Sequence, residues 1–225
     1  MSGKTIAIAI DGPGGAGKST IARLLSQKLS YIYVDTGALY RTVAYGMGSL
    51  NVDISDVNAV VDNLPKLKID IKHLSDGQHV FLNGNDVSGF IRTPEISMLA
   101  STVSKIPEVR EFLLGLQRQL AEEHNVVMDG RDIATVVLPN AKVKIFLTAS
   151  PKVRAKRRYD ELIAKGVSVD YEDVLSELIQ RDEQDMNREI APLKPSEESI
   201  IVDTTDLDLD SAVNAMFMVV EKAIG

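Results

Sequence analysis

The chain has 225 residues, a formal net charge of −7 at pH 7 and no cysteine. This length can bury the core of one large domain, or of a domain with an insertion. The acidic balance argues against non-specific binding to nucleic acid or to an anionic membrane, and no window is long and apolar enough to span a bilayer. The lack of cysteine excludes disulfides, zinc–thiolate sites and a thiol nucleophile. Because the first residues also lack the cleavage pattern of a signal peptide, we expect a cytoplasmic protein.

Apolar runs of strand length alternate with helical patterns along the chain. The predicted strands TIAIAI, YIYV, NVVMD, KVKIFLTA and SIIVD lie at 5–10, 31–34, 125–129, 142–149 and 199–203. Between them are helical segments such as 107–123, where apolar residues recur at helical spacing. Short buried strands separated by helices are typical of a parallel sheet that is covered on both faces. The sequence therefore predicts an α/β fold.

One region departs from this alternation of strands and helices. From Lys66 to Phe90, the segments LKIDIKHL and HVFLNG alternate apolar and polar residues on either side of SDGQ. An Asp-Gly pair between such segments is a strong hairpin signal. We therefore predict a small antiparallel hairpin here, as an insertion, with its turn at SDGQ.

A glycine-rich stretch, DGPGGAGKST, follows the first predicted strand directly. It fits the phosphate-loop pattern G-x-x-x-x-G-K-[ST], in which backbone N–H groups and a lysine receive phosphates and a hydroxyl ligates Mg²⁺. A chance glycine-rich turn is the alternative, but the strand before it and the helical segment TIARLLSQKL after it favour a phosphate loop. The predicted ATP-binding residues are Gly12, Pro13, Gly14, Gly15, Ala16, Gly17, Lys18, Ser19 and Thr20.

Three classes of phosphate-loop protein are candidates for this sequence. A GTPase needs a guanine-reading Asn-Lys-x-Asp segment, which the sequence lacks. An ABC-type ATPase is suggested by LSDGQ at 74–78, but this stretch lies at the tip of the predicted hairpin and not before a helix. In addition, Gly130 follows Asp129 where an ABC ATPase has a catalytic glutamate. A small-molecule kinase remains.

Polar residues follow two of the predicted strands. The segment YIYVDTGALYR (31–41) is predicted to turn at Gly37 and to bring Arg41 into the first turn of the next helix, and VVMDGRD (126–132) ends another strand. Each could be an ordinary polar strand end, but ligands of open α/β sheets bind at the carboxyl ends of strands. Two such loops at the edge that carries the phosphate loop favour a functional site. Their candidate residues are Asp35, Thr36, Arg41, Asp129, Arg131 and Asp132.

Two further segments concentrate charge. RDEQDMNR places Arg181, Asp185 and Arg188 four and three residues apart, which on a helix puts them on one face; a surface ladder of salt bridges is the alternative. PKVRAKRRYDELIAKG (151–166) packs five basic residues into less than two turns. On an acidic protein this cluster favours an anionic ligand, and a solvated face balanced by acidic neighbours is the alternative. The basic residues are Lys152, Arg154, Lys156, Arg157 and Arg158, and the neighbours are Asp160 and Glu161.

In combination, DGPGGAGKST, DTGALYR, the DGRD loop and RDEQDMNREIAPL resemble the bacterial cytidylate kinases over nearly the whole chain. The resemblance implies a P-loop nucleotide kinase fold: a parallel sheet of about five strands flanked by helices, a small β-containing insertion that binds the nucleoside monophosphate, and a helical lid. Helices at 53–63 and 94–105 would join the insertion to the core. The implied segments are the core at 1–61, 102–151 and 169–225, the insertion at 62–101 and the lid at 152–168.

The resemblance also implies roles for individual residues. Lys18 would bridge to the transferred phosphoryl group, and the lid arginines Arg157 and Arg158 would contact ATP. Cytosine offers an amino donor beside acceptors, which suits a carboxylate paired with a guanidinium, whereas uracil would turn a carbonyl toward Asp132. The implied CMP-binding residues are Thr36, Ser101, Arg110 and Asp132 for the base, Arg181 and Asp185 for the sugar, and Arg41, Arg131 and Arg188 for the acceptor phosphate.

The expected reaction is therefore transfer from ATP, with Mg²⁺, to CMP and dCMP, by a monomer with no nucleic-acid or membrane partner. The sequence departs from the family pattern at two positions. Ser19 follows the loop lysine where many nucleotide kinases have glycine, so either Ser19 or Thr20 could ligate Mg²⁺, and Thr36 stands where some relatives have serine. Two alternatives stay open: a kinase of another small acceptor, such as another nucleotide or a sugar acid, and a non-catalytic ATP-binding module.

Overall fold

The structure is a computed structural model that describes residues 5–74 and 77–225. The central residues of the SDGQ turn, Ser75 and Asp76, lie outside the described residues. The strands are β1 Ala7–Asp11, β2 Ile32–Asp35, β3 Ile69–Leu74, β4 Gly77–Leu82, β5 Asn85–Asp86, β6 Val126–Gly130, β7 Val143–Thr148 and β8 Ile200–Asp203. The helices are α1 Lys18–Leu29, α2 Thr36–Ser49, α3 Val57–Asn63, α4 Pro94–Val103, α5 Pro107–Glu123, α6 Pro151–Ala164, α7 Tyr171–Asn187 and α8 Leu209–Ile224. Across the described ranges, no helix combines the length and the apolar character that crossing a membrane requires.

The predicted parallel sheet is confirmed. Its five strands lie in the order β2-β6-β1-β7-β8, and β1 pairs in parallel with both β6 and β7. The interior of β1 is fully buried from Ile8 to Ile10, as expected of a strand covered on both faces. Asp11, the last residue of β1, lies opposite Gly130 of β6 and Phe146 of β7. The carboxyl ends of three neighbouring strands therefore lie close together, at the point where the glycine-rich loop begins.

The predicted antiparallel hairpin is also confirmed. Strands β3 and β4 pair in antiparallel register from Ile69 opposite Leu82 to Leu74 opposite Gly77, and β5 adds a short third strand. A single-turn helix, Leu64–Lys66, precedes the hairpin. In β3, the buried Ile71 lies between the exposed Asp70 and Lys72, as the period-two pattern predicted, whereas His73 and Leu74 are both exposed.

The described chain divides into two compact units. One comprises residues 5–31 and 125–225, and its core includes Ile8, Ile10, Ile145 and Leu147, which are fully buried. The other comprises residues 32–124 and contains the antiparallel hairpin together with α2 to α5. The core of this second unit includes Leu39, Val43, Met47, Val103 and Leu113.

Two local predictions need correction. No turn forms at Gly37: α2 starts directly at Thr36 because the side chain of Asp35 caps it, accepting a hydrogen bond from Ala38 N at 2.9 Å. Arg41 consequently lies in the second turn of the helix and not in the first.

The second correction concerns the end of α7. The helix stops at Asn187, so Arg188 has extended backbone and does not share a helix face with Arg181 and Asp185. The following chain turns back, since Leu193 N donates to the carbonyl oxygen of Asp185 at 2.8 Å. Ala191 has a φ of +50° and precedes a proline, a position that disfavours continued helix.

Candidate active site

The phosphate loop, residues 12–17, connects β1 to α1. At Gly12 φ is +150°, and a Cβ built there would lie 2.0 Å from the carbonyl oxygen of Leu147 in β7. At Gly17, the N-cap of α1, φ is +89°, in the left-handed region that favours glycine. Glycine therefore permits both the close passage beside β7 and the entry into the helix. Because α1 begins at Lys18 as predicted, its positive dipole end adjoins the loop.

Lys18 lies against this loop. It is 5 % exposed, and its Nζ donates a hydrogen bond to the carbonyl oxygen of Pro13 at 2.8 Å. Burial, together with the charge of Arg131, lowers the pKa of Lys18 from 10.5 to about 7, although three nearby carboxylates oppose the shift. A buried cation of this kind is stabilised by an anion placed beside it. Its position and its lowered pKa both suit a group that receives phosphate.

The residue after this lysine contacts a carboxylate. Ser19 Oγ donates a hydrogen bond to Asp129 Oδ2 at 3.1 Å, which joins the first turn of α1 to the end of β6. A hydroxyl and a carboxylate are oxygen ligands of the kind that Mg²⁺ prefers. No group of three or more His, Asp or Glu residues could hold a metal ion in the part of the chain that the structure describes. This donor set fits Mg²⁺, which takes few protein ligands and binds through nucleotide phosphates and water.

Asp11 is a buried residue that the sequence analysis did not select. Its two carboxylate oxygens accept hydrogen bonds from the backbone N–H groups of Ile133 and Ala134, at 2.7 and 2.8 Å. Burial raises the pKa of Asp11 to about 6, against the effect of these two hydrogen bonds. The contact holds the segment after Asp132 against the end of β1. Its place at a strand end, like that of Asp129, was the signal that could have identified it.

Arginines and carboxylates alternate next to the loop. Arg131 Nε lies 2.9 Å from Asp185 Oδ2, and Arg188 Nη2 lies 3.6 Å from Asp132 Oδ1. Burial alone would raise the pKa of Asp185, but Arg131, followed by Arg181 and Arg188, outweighs burial and holds that pKa below its usual range. The structure thus brings these five predicted residues together in one unit, even though Arg188 lies beyond the end of α7.

The basic cluster on α6 does not form a uniform face. Arg154 is 3 % exposed, and its Nη1 donates to Asp182 Oδ2 at 2.6 Å and to the carbonyl oxygen of Gly14 at 3.0 Å. A Cβ at Gly15 would lie 3.0 Å from the carbonyl oxygen of Arg154, so the helix packs directly on the loop. The sequence analysis missed Asp182, and no periodic signal indicated that one member of the cluster would turn inward.

The other basic residues of the cluster point to different partners. Arg157 donates from Nη2 to the carbonyl oxygen of Thr204 at 2.8 Å and from Nη1 to the carbonyl oxygen of Ala16 at 3.5 Å. Arg158 pairs with Glu161 at 3.0 Å in an exposed position. An exposed pair also joins Lys156 to Asp160 at 2.6 Å. The solvated-face interpretation therefore holds for these two pairs, whereas Arg157 is tied to the phosphate loop and to the segment after β8.

In the second unit, Asp35 organises the start of α2. While its Oδ1 caps the helix, its Oδ2 accepts from Arg41 Nη2 at 2.9 Å. A Cβ at Gly37 would lie 3.1 Å from Arg41 Nη1, so the glycine leaves room for the guanidinium to fold back. Arg41 Nε is buried and has no hydrogen-bond partner among the described residues, which leaves a donor for a ligand. Thr36, the first residue of the helix, is 3 % exposed.

The remaining predicted residues of this unit lie on α4 and α5. Arg110 Nη1 donates to the carbonyl oxygen of Ser104 at 3.3 Å, and its guanidinium lies 5.7 Å from the centre of the Tyr40 ring. Ser101 is half-buried on α4, one turn before Ser104, and the same α4 packs against α2. The unit therefore places Arg110 near the α2 residue Tyr40, which follows Thr36 by one helical turn, and Ser101 on a helix that packs against α2.

A phosphate loop that leaves the central strand of a parallel sheet, with arginines and carboxylates at the strand ends, defines a P-loop kinase. The cytidylate kinase family model matches residues 8–222. Cytidylate kinase from Carboxydothermus hydrogenoformans is 50 % identical over 215 residues, which cover 96 % of this chain and 97 % of that protein. The cytidylate kinase of Bacillus subtilis is 47 % identical over 219 residues, covering 97 % and 98 %. The chain belongs to the cytidylate kinase family, and it is an ATP-dependent nucleoside monophosphate kinase.

A solved structure of a protein from Eubacterium ventriosum resembles this chain in fold alone. It superposes with a TM-score of 0.53 at 15 % identity, covering 97 % of this chain and 99 % of that one. The resemblance to bacterial cytidylate kinases that the motifs predicted is confirmed by the family match. The competing assignments to a GTPase and to an ABC-type ATPase are thereby set aside.

Proposed function

We propose that this cytidylate kinase transfers the γ-phosphoryl group of ATP to CMP and also to dCMP, giving ADP with CDP or dCDP. The observation that supports this most strongly is the gathering of Lys18, Arg131 and Arg188 beside the phosphate loop, each close to a carboxylate. The use of dCMP follows from the resemblance to bacterial cytidylate kinases.

Charge determines the proposed mechanism. An acceptor phosphate is already anionic, so phosphoryl transfer needs positioning and charge stabilisation more than a general base. We assign Lys18 to the transferred phosphoryl group, and Arg41, Arg131 and Arg188 to the acceptor phosphate. Half-buried and buried cations act on a phosphate more strongly than they would in water, because the local dielectric is lower.

Magnesium has a candidate site at Ser19 and Asp129. The hydroxyl of Ser19 lies 3.1 Å from the carboxylate of Asp129, which favours it over Thr20 as the ligand. When bound, Mg²⁺ would neutralise part of the charge on the nucleotide phosphates. The residues themselves hold a hydroxyl and a carboxylate in place at the first turn of α1.

The residues that recognise the acceptor nucleotide are assigned from the hydrogen-bonding groups of their side chains. Asp132 and Arg110 suit the amino group and the acceptor atoms of cytosine, and Thr36 and Ser101 add hydroxyl groups. Arg181 and Asp185 are assigned to the sugar. A buried carboxylate facing a uracil carbonyl would have no donor to accept from, which is costly.

ATP is assigned to the loop residues and to two arginines of α6. Arg157 is supported by its contact with the carbonyl oxygen of Ala16. Arg158 pairs with Glu161, and its assignment to ATP rests on the resemblance to bacterial cytidylate kinases alone. We further propose that the protein acts as a cytoplasmic monomer. The absence of cysteine from the sequence is consistent with a reducing compartment and supports the location.

A coupled assay of ADP release over a panel of monophosphates tests the proposal. CMP and dCMP should both be used, and UMP and AMP about five- to 150-fold less efficiently, since an unpaired buried polar group costs about 1–3 kcal/mol. Equal turnover of AMP or UMP would contradict the assigned specificity.

Substitution of the base-reading carboxylate sharpens this test. Asp132→Ala should lower kcat/KM for CMP about a hundredfold while leaving KM for ATP within about threefold. The matched control is Asp160→Ala, because Asp160 is exposed and pairs only with Lys156 in the contacts described. If the two variants lose CMP turnover equally, Asp132 does not read the base.

A further inference from the structure

The sequence motif LSDGQ ends in Gln78, a half-buried residue of β4 that the proposed function does not use. Its side chain contacts the backbone of β2. Gln78 Oε1 accepts a hydrogen bond from Asp35 N at 2.8 Å, and Gln78 Nε2 lies 3.5 Å from the carbonyl oxygen of Asp35. The two ends of one amide group therefore face the N–H and the C=O of a single residue.

A second side chain, that of His73, also contacts the backbone of β2. His73 of β3 lies directly opposite Gln78 in the hairpin register, and its Nε2 lies 2.9 Å from the carbonyl oxygen of Tyr33. Tyr33 and Asp35 are alternate residues of β2, so their backbone groups point the same way. Together His73 and Gln78 contact the backbone groups that a further strand would pair with.

Asp35 connects Gln78 directly to two residues of the proposed acceptor site. The same Asp35 caps α2 through Oδ1 and holds Arg41 through Oδ2, both at 2.9 Å. Thr36 is the next residue along the chain. A shift of the Asp35 backbone would therefore move the cap, the start of α2 and the guanidinium of Arg41 together.

We infer that Gln78 is a positioning residue for the acceptor nucleotide, because it fixes the Asp35 backbone from which Thr36 and Arg41 are placed. This inference rests on the proposed roles of Thr36 and Arg41 in CMP binding. Gln78 itself touches no reacting atom in this arrangement. Its loss should act on CMP and not on ATP, whose assigned residues lie elsewhere in the sequence.

The test compares Gln78→Met, which keeps the length of the side chain but removes its hydrogen bonds, with Gln119→Met. Gln119 lies in the same unit, is exposed, and bonds to Glu123 on its own helix. Gln78→Met should raise KM for CMP about tenfold, the equivalent of about 1.4 kcal/mol, with KM for ATP and kcat within about twofold. Gln119→Met should leave all three unchanged.

A conservative variant separates positioning from general damage. Gln78→Glu keeps the acceptor for Asp35 N but replaces the Nε2 donor, which lies 3.5 Å from the carbonyl oxygen of Asp35, by a carboxylate oxygen, so its KM for CMP should lie between those of the wild type and Gln78→Met. If Gln78→Met does not fold, Gln78→Asn replaces it, since its amide is one methylene shorter and cannot reach the same backbone. An increase in KM for both substrates, or an equal effect of the acceptor-keeping variant, would overturn the inference.

A double substitution tests the route through Arg41. Gln78→Met combined with Arg41→Met should raise KM for CMP by clearly less than the product of the two single effects, because part of the effect of Gln78 passes through Arg41 and part through Thr36. If the effects of the two substitutions on KM for CMP are fully additive, Gln78 does not act through Arg41. If Arg41→Met alone leaves KM for CMP unchanged, the proposed role of Arg41 is wrong and the route fails with it. The CMP turnover found in the panel of monophosphates would be unaffected in either case.

Discussion

Nucleotide binding should be coupled to protonation of Lys18. In the protein by itself, burial and the charge of Arg131 hold the pKa of Lys18 at about 7, whereas the ordinary value is 10.5. In the proposed assignment, a bound nucleotide places several negative charges next to the ammonium group, which should raise that pKa again. Each binding event in alkaline solution should therefore take up a proton from the buffer.

The size of the effect follows from the shifted value. With a pKa of about 7, roughly nine molecules in ten carry neutral Lys18 at pH 8, so about 0.9 proton should be taken up per nucleotide bound. The protonation step costs free energy, and the apparent affinity should fall about fivefold between pH 7 and pH 8. The apparent affinity falls as the pH rises because the charged form of the lysine is the one that binds the nucleotide.

Isothermal titration calorimetry with ADP at pH 8 measures this uptake. The slope of the observed enthalpy against the ionisation enthalpy of several buffers gives the number of protons, and the terminal phosphate of ADP is already ionised at this pH. Lys18→Arg is the control, because arginine keeps its proton throughout. Zero uptake by the wild type, or equal uptake by Lys18→Arg, would refute the reasoning.

Three substitutions test the packing around the phosphate loop. Gly12→Ala puts a Cβ 2.0 Å from the carbonyl oxygen of Leu147, so urea unfolding should show a loss of about 3 kcal/mol or more, and an unchanged midpoint would contradict that contact. Burial raises the pKa of Asp11 to about 6, so the folded protein holds the Asp11 proton more tightly than the unfolded chain does. The free energy of unfolding of the wild type, relative to that of Asp11→Asn, should therefore fall by up to about 3 kcal/mol from pH 4 to pH 6 and then level off. A difference that does not change with pH would contradict the raised pKa. Arg154→Met leaves Asp182 buried without its 2.6 Å partner and should cost about 3–5 kcal/mol, most of which Arg154→Met/Asp182→Leu should restore.

The elements that hydrophobic periodicity describes were predictable. Helix α5 forms over Pro107–Glu123 as its spacing predicted, with Val109, Leu113 and Ala121 buried on one face. The parallel order followed from short buried strands separated by helices. Strand ends were selected as candidate sites because ligands of such sheets bind there, and their roles in binding stay a prediction. Local pattern and fold agree wherever burial of one face decides the structure.

Long-range polar contacts were not predictable in this way. Arg154 and Arg158 belong to one run of basic residues, yet Arg154 is buried against Asp182 and Arg158 is paired with Glu161 near the surface. The partner of Arg154 lies 28 residues further along the chain. A periodic pattern shows which face of a helix is apolar, but it does not show which charge on another element that face will meet.

The ends of elements were the second source of error. At α2, the cap supplied by Asp35 starts the helix at Thr36, before the predicted turn at Gly37. At α7, the helix ends at Asn187, and Arg188 at the C-cap position has extended backbone, so the predicted shared face ends before this arginine. Caps depend on one hydrogen bond, so a change of a single residue moves the boundary.

The pairing of site cations with carboxylates explains how an acidic protein can bind anions selectively. Arg131 faces Asp185, and Arg188 faces Asp132, although the whole chain carries a net charge of −7. The carboxylates hold the guanidinium groups in place and reduce the repulsion between them. A small anion must compete with these carboxylates for each arginine separately. In the proposed assignment, a nucleotide engages the arginines with its phosphate and the carboxylates with its base and sugar at once, so we expect the acidic neighbours to disfavour an anion that lacks a base and a sugar.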